Sequence, residues 1–516
     1  MNGEPKTLSL SLVSHTNVGK TTLARTLLGR DIGEVRDQAH VTEVAEAQLL
    51  VESPAGDRLM LWDTPGFGDS LRLARRLAQA GNPIGWFLSE VWDRWRDRPF
   101  WSSQRALRNV LEQADVVLYL VNASEAPEDA GYLDAELQVL ALIGKPVIAL
   151  LNQLGPVGAA EGDAAAEDSQ SGRWRTRLAA TPGVRTVLPL DAFTRCWVQE
   201  GVLRQAVAEA LPVPQQAAFE RLRAAWQQRQ TAIWRSAMAE LARRMARAAL
   251  DVEVVESEGW RGPLRKIGST LGKALGLRGD AGDSPRERAI AALAERLDSD
   301  LRQSTDTLIA QHGLDGRAGS DVLEKLARHY ALRQPLSEGN AALWGGVVSG
   351  ALAGLKADIA SGGLTLGGGL LAGGVIGALA AAGAARGVNL VRGLERPQLA
   401  WDAQVLDALL ASALLGYLAV AHHGRGRGAW VDEAPPVRWT TTVQAVLDAR
   451  RAEIDAVWGR RGDLLGRAPA PPPGMPPGAV SSSTTAIVPA LQELLLSVSS
   501  DLLIRLYPQA GTTLPE

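Results

Sequence analysis

The run Ser14-His15-Thr16-Asn17-Val18-Gly19-Lys20-Thr21-Thr22 constrains the fold more than any other stretch of this chain. It follows an apolar segment, Leu8 to Val13, that reads as a strand. It precedes Leu23-Ala24-Arg25-Thr26-Leu27-Leu28, whose apolar spacing is helical. Strand, loop and helix in that order is the setting in which a Gly-Lys-Thr run cradles phosphate. Backbone N–H groups of the loop and of the helix start face the phosphates, and the helix dipole favours their charge. Asn17, Val18, Gly19, Lys20, Thr21 and Thr22 are therefore candidate nucleotide-binding residues, with Lys20 reaching the terminal phosphates and the Thr21 hydroxyl ligating Mg²⁺. The first loop position, usually glycine, is Ser14, small enough to permit the turn.

A second motif supports the first. Leu59-Met60-Leu61-Trp62 is an apolar run ending in Asp63-Thr64-Pro65-Gly66. Asp63 is expected to hold Mg²⁺ through water, and the Gly66 amide to sense a γ-phosphate. Between the two motifs, Thr42 in Val41-Thr42-Glu43 is spaced to cap the same Mg²⁺. Lys20, Thr42, Gly66 and Asn17 form the expected catalytic set, and Thr21, Thr42 and Asp63 the expected metal set.

These residues resemble a Ras-like G domain of the bacterial translation-factor-related class. The resemblance implies an α/β P-loop domain, a mostly parallel sheet with flanking helices, that binds GTP or GDP. Its guanine signature, Asn-Lys-x-Asp, is matched in part by Asn152-Gln153-Leu154-Gly155 after the apolar run 146–151. Asn152 is kept, Gln153 replaces the lysine, and Gly155 replaces the carboxylate that pairs with guanine. Guanine preference is thus implied by the family rather than by these residues, since base discrimination rests on groups left unpaired by the wrong ligand. Leu188-Pro189-Leu190-Asp191-Ala192-Phe193 is the match to the last signature, with the Ala192 amide near the base oxygen. Phe67 stands where Ras-like enzymes carry a water-orienting glutamine, so slow turnover is expected. Asn17 occupies the loop position where potassium-activated relatives bind K⁺; it serves either that or the loop turn.

Composition sets further bounds. A net charge of −3 over 516 residues gives no global electrostatic case for nucleic acid, and no nucleic-acid partner is expected. The single cysteine, Cys196, excludes an internal disulfide or thiolate zinc cluster. Without a charged n-region and apolar h-region at the start, the expected location is cytoplasmic, peripheral or inserted at the inner membrane.

The organisation expected is a G domain over 1–205 with a Trp-rich insertion at 71–105, holding Trp86, Trp92, Trp95 and Trp101. A mainly α-helical C-terminal domain follows over 212–466, then a Pro/Ser-rich linker at 467–485 and a terminal helix at 486–516. Residues 260–278 read as a basic amphipathic helix suited either to an anionic membrane surface or to a bundle. Residues 341–392 carry glycines at every fourth position, Gly346, Gly350 and Gly354, then Gly369, Gly373 and Gly377. They read as a glycine-rich helical hairpin that either contacts a membrane or packs tightly in solution.

The whole chain resembles bacterial GTPases that carry domain of unknown function 3482, on the first two motifs, Leu190-Asp191-Ala192-Phe193 and the Gly-rich run 361–367. Three functions stay open. One is a GTPase with slow, cation- or partner-stimulated hydrolysis that switches a helical, membrane-associated domain, with a nucleotide-dependent dimer among its assemblies. Another is a nucleotide-binding interaction protein with negligible turnover. The third is a soluble GTPase in ribosome or RNA work.

Overall fold

A computed structural model describes residues 4–29, 46–79, 85, 98–153, 170–190, 192, 196–254, 285–314, 388–391, 398–422, 437–467 and 482–510. The chain divides into two compact units. The first is built from Met1–Ala232 with two short later segments, the second from Ile233–Val420 and Ala434–Pro508.

The first unit is organised by a six-stranded sheet in the order β2-β3-β1-β4-β5-β6. Its strands are β1 (Thr7–Ser14), β2 (Glu46–Glu52), β3 (Arg58–Asp63), β4 (Val116–Asn122), β5 (Val147–Asn152) and β6 (Val184–Pro189). Only β2 is antiparallel to its neighbour. The sequence accounts for this. The central strands β4 and β5 are nearly continuous apolar runs, as both faces of a parallel sheet are covered, while β1 alternates leucine with buried serine. Alternate residues then divide between two cores. Leu8, Leu10, Leu12, Leu118, Leu120, Ile148 and Leu150 pack on one face. Val13, Val117, Tyr119, Val121, Ala149 and Leu151 pack on the other. Edge strand β2 is half-exposed instead.

Helices α1 (Lys20–Leu28), α2 (Ser70–Gln79), α3 (Arg98–Gln113), α4 (Leu133–Ile143), α5 (Gln170–Ala179) and α6 (Trp197–Ala210) join the strands. The long helix α7 (Val213–Leu250) gives its residues up to Ala232 to this unit and the rest to the other. Its Ala218, Phe219 and Leu222 complete the core on the face holding Leu8 and Leu10. The chain leaves β1 for β3 on one side and β4 on the other. The carboxyl ends of β1 and β4 therefore flank the switch point at which open α/β sheets bind ligands.

The second unit holds α8 (Pro285–Gln311), α9 (Ala403–Ala421), α10 (Val437–Ala449), α11 (Arg451–Arg467) and α12 (Ser482–Leu506). It also holds a three-stranded antiparallel sheet, ordered β7-β9-β8, of β7 (Val252–Val254), β8 (Val388–Val391) and β9 (Gln398–Trp401). The described part of this unit is thus mainly helical, as expected, with one short sheet added. Val388–Val391 closes the range expected for the glycine-rich hairpin, yet pairs as a strand with β9. Its two valines, β-branched residues, favour that conformation over helix. The terminal helix begins at Ser482, inside the expected linker. The remainder of the expected hairpin, residues 260–278, and Trp86, Trp92 and Trp95 lie outside the described residues. Among the described residues, Ala403–Ala421 and Ala486–Leu506 are long and apolar enough to cross a bilayer, though the first is mostly buried.

Candidate functional site

Strand β1 ends at Ser14, and the loop to α1 bends through two left-handed residues, Asn17 at φ 64° and Gly19 at φ 97°. Asparagine is among the few side chains that tolerate such a backbone, so Asn17 has a conformational reason to be there. Gly19 is constrained twice. Besides its φ, a Cβ there would lie 2.7 Å from Asn152 Nδ2.

That contact belongs to a bridge between two loops. Asn152, fully buried at the end of β5, donates through Nδ2 to the Val18 carbonyl at 2.7 Å. Its Oδ1 accepts from the Ala192 amide at 2.8 Å, and the Ala192 carbonyl accepts from Thr26 Oγ1 at 2.9 Å. Asn152, Val18 and Ala192, far apart in sequence, are thus brought together. Thr22 is buried one residue into α1 beyond Thr21. Gln153 follows Asn152 with φ 57°. Leu154, Gly155, Asp191, Phe193 and Thr42 lie outside the described residues.

Lys20 is buried at the start of α1. Its ammonium donates to Ser14 Oγ at 2.9 Å and to the His15 carbonyl at 3.2 Å. Burial pulls it down to about 8, against the charges of Asp63 and Glu136, which hold it up. The register of β1 with β3 sets Asp63 beside Leu12. Thr21 Oγ1 donates to Asp63 Oδ2 at 2.6 Å. Burial pushes Asp63 up to about 6, against that hydrogen bond and the Lys20 charge. Asp63 Oδ1 is buried with no hydrogen-bond partner. A hydroxyl and a carboxylate at this separation, with one oxygen left over, make a hard-oxygen pair suited to Mg²⁺.

Gly66 passes directly over the loop. A Cβ there would meet Thr16 Cα at 2.9 Å and Lys20 Nζ at 3.0 Å, so glycine is required by close approach. Thr64 Oγ1 donates to the Leu12 carbonyl at 2.6 Å, and the Phe67 amide to the Ser14 carbonyl at 3.0 Å. Phe67 itself turns into the core, 1% exposed. The residue after Gly66 is therefore an anchor and cannot orient water.

Glu136, a site neighbour, is not evident from any motif. It lies on α4 with the buried residues Leu133, Leu137 and Leu140. A carboxylate on a helix's apolar stripe is the signal that could have found it. His15 Nδ1 lies 2.8 Å from Glu136 Oε1, and Tyr119 donates to Oε2 at 2.8 Å. Burial pushes the Glu136 carboxyl up, against those two hydrogen bonds.

A phosphate loop, a cation-ready aspartate and a glycine beside the lysine, at the carboxyl end of a mostly parallel sheet, define the P-loop GTPase class. Residues 9–153 match the family described as 50S ribosome-binding GTPase, and residues 314–460 match domain of unknown function DUF3482. The chain carries a GTPase domain followed by a DUF3482 region.

Solved structures give more distant matches. A variant of Era from Aquifex aeolicus bound to GDP and AlF₄⁻ shares 20% identity over 40% of this chain and 57% of that one, with a TM-score of 0.29. The chain thus spans little more than half of that protein. Era in complex with MgGDPNP and nucleotides 1506–1542 of 16S ribosomal RNA shares 16% identity over 58% of this chain and 89% of that one, with a TM-score of 0.30. A bacterial selenocysteine-specific elongation factor shares 15% identity over 40% of this chain and 28% of that one, with a TM-score of 0.25.

Proposed function

We propose that the chain binds GTP and GDP and hydrolyses GTP slowly, and that the DUF3482 region reads out the nucleotide state. The observation that carries this is the meeting of Lys20, the Thr21–Asp63 pair and Gly66 at the end of β1 and β3. Lys20 supplies a cation for the β- and γ-phosphates. Thr21 and Asp63, with Thr42, would hold a Mg²⁺ ion, which when bound neutralises phosphate charge. The Gly66 amide takes the γ-phosphate, and hydrolysis removes that contact. Asn152 and Ala192 tie the base-side loop to the phosphate loop. Slow turnover follows from Phe67, whose buried apolar ring cannot orient the attacking water.

Equilibrium binding of fluorescent GDP and GTP analogues by the full chain, beside Lys20→Ala, tests the reading. Nucleotide binding that is Mg²⁺-dependent and lost in the variant is expected; equal binding by both proteins would refute it. Phosphate release in K⁺ and in Na⁺ then separates two roles for Asn17. Stimulation by K⁺ that disappears in Asn17→Ala assigns it to a cation, and equal rates assign it to the turn. A second reading, association with the large ribosomal subunit, draws on the family description of residues 9–153. GTP-dependent co-sedimentation with 50S particles would favour it, and sedimentation apart from them would retire it. Membrane attachment through 341–392 is tested by carbonate washing of membranes beside a deletion of that range.

A further inference from the structure

The phosphate loop rests on a buried carboxylate for which phosphate binding alone gives no use. Both oxygens of Glu136 are engaged, one by His15 Nδ1 at 2.8 Å and one by the Tyr119 hydroxyl at 2.8 Å. The His15 ring also lies flat on Tyr132, with centroids 4.2 Å apart and planes within 10°. The second residue of the loop is thereby held by β4, by α4 and by the residue preceding α4. His15 passes the constraint onward. Its carbonyl accepts from Lys20 Nζ at 3.2 Å and from Ser14 Oγ at 2.5 Å. Its backbone also forms an isolated parallel bridge with Phe67, next to Gly66.

Packing does not explain an acid at this position. Glu136 lies on the stripe of Leu133, Leu137 and Leu140, where an apolar residue would fill the space without the cost of burying a carboxylate. A fully engaged polar network does something a leucine cannot, which is to fix its members in one arrangement. The loop needs such fixing, because a phosphate cradle works only when its donors are set within about 0.5 Å of productive geometry.

We infer that Glu136 is a positioning residue of the nucleotide site: acting through His15, it holds the first half of the phosphate loop, and the oxygens on which Lys20 rests, in the shape that receives the terminal phosphates. The inference rests on the nucleotide-site reading above. Glu136 and His15 act on the loop and take no part in the reacting bonds.

The test uses the full chain, fluorescent GDP and GTPγS, fixed Mg²⁺, and the melting temperature of the nucleotide-free protein. His15→Ala cuts the link at a side chain that is 29% exposed, so the buried pocket stays closed. It is expected to weaken GTPγS binding about tenfold, the effect of losing one charge-assisted hydrogen bond. The nucleotide-free melting temperature should fall by only a few degrees, since Tyr119 still donates to the Glu136 carboxyl and burial favours its neutral form. His15→Asn places an amide nitrogen where Nδ1 stood and should recover most of the affinity; a merely space-filling histidine would show no such rescue. Glu136→Gln, whose oxygen accepts from Tyr119 while its amide nitrogen donates to the other tautomer of His15, should bind nearly as wild type, and Glu136→Ala as His15→Ala. The double variant His15→Ala/Glu136→Ala should be no weaker than either single change. Binding by His15→Ala within about twofold of wild type, or His15→Asn as weak as His15→Ala, overturns the inference. If Glu136→Ala fails to fold, the two His15 variants decide alone. Loss in Lys20→Ala with none in His15→Ala would keep the nucleotide site and remove only Glu136's role, whereas wild type and Lys20→Ala that bind alike would remove both.

Discussion

Asp57 and Asp63 bracket strand β3, both are buried, and they are opposites. Asp57, in the turn before β3, is fully satisfied from within the chain. The Lys6 amide donates to Oδ1 at 3.1 Å and Ser53 Oγ to Oδ2 at 2.8 Å. Arg221 on α7 closes a two-pronged pair at 2.7 and 2.8 Å. Asp63, at the far end, receives one donor and keeps one buried oxygen without a partner. The electrostatics divide accordingly. The Arg221 guanidinium holds Asp57 well below the usual carboxylate range, against the effect of burial. Burial instead raises Asp63 to about 6. A buried anion that the chain completes is part of the scaffold; one that it leaves incomplete suits the proposed role of meeting a cation. The same strand carries both, a completed anion at one end and an incomplete one at the proposed nucleotide site.

The most direct break of this comparison is at the unfinished end. Lys20→Ala should lower GTP affinity about 100-fold, the scale for truncating one partner of a buried charged contact. Titration with a fluorescent nucleotide reads it. Next is Asp63→Asn, which should cost about 10- to 100-fold in Mg²⁺-dependent affinity. The same change should raise the melting temperature of the nucleotide-free protein, because it removes a buried carboxylate that lacks a full set of donors. A variant that both binds normally and melts lower would show that Asp63 belongs to the scaffold after all.

At the finished end the signs reverse. Arg221→Ala strands a buried carboxylate and unpins the start of α7, so melting should fall by several degrees. Nucleotide affinity should stay within about twofold, since the change lies at the opposite end of β3. Calorimetry and binding on the same preparation separate the two. A selective loss of GTP affinity, with melting unchanged, would mean that the β2–β3 turn reports to the site.

These two ends also differ in how legible they are from sequence. Lys20, Thr21, Asp63, Gly66 and Asn152 sit in short motifs whose spacing is set by local geometry, so a strand–loop–helix pattern is enough to find them. The sheet's apolar runs are equally local. Asp57 with Arg221, and His15 with Glu136, are pairings across 164 and 121 residues. No local pattern selects one arginine among many on a long helix. The sheet of the second unit hides for the same reason, because Val252–Val254 finds its partner strand only at Gln398–Trp401. Three- and four-residue strands carry too little periodicity to stand out beside long helices. Glu136 is the intermediate case, since its place on an apolar stripe marks it as unusual without saying what it holds.

The smallest and most discriminating prediction concerns pH, where the two aspartates pull stability in opposite directions. In protein free of nucleotide and Mg²⁺, Asp63 has a folded value of about 6, above its ordinary 3.8. As pH falls from about 7 to about 5 the folded state takes up a proton that the unfolded state does not, so this group's contribution to stability rises. Asp57 has a folded value below its ordinary 3.8. Its stabilisation is complete above about pH 4 and is lost as pH falls toward the folded value, because the unfolded chain then binds the proton first. The melting temperature should therefore carry a gain between about pH 7 and 5 that is reduced in Asp63→Asn, and a loss below about pH 4 that is reduced in Arg221→Ala. Saturating Mg²⁺ and GDP should erase the Asp63 contribution and leave that of Asp57, if the proposed Mg²⁺ site at the carboxyl end of β3 holds. An identical response of both limbs to Mg²⁺ and GDP would break the distinction between the two ends of the strand.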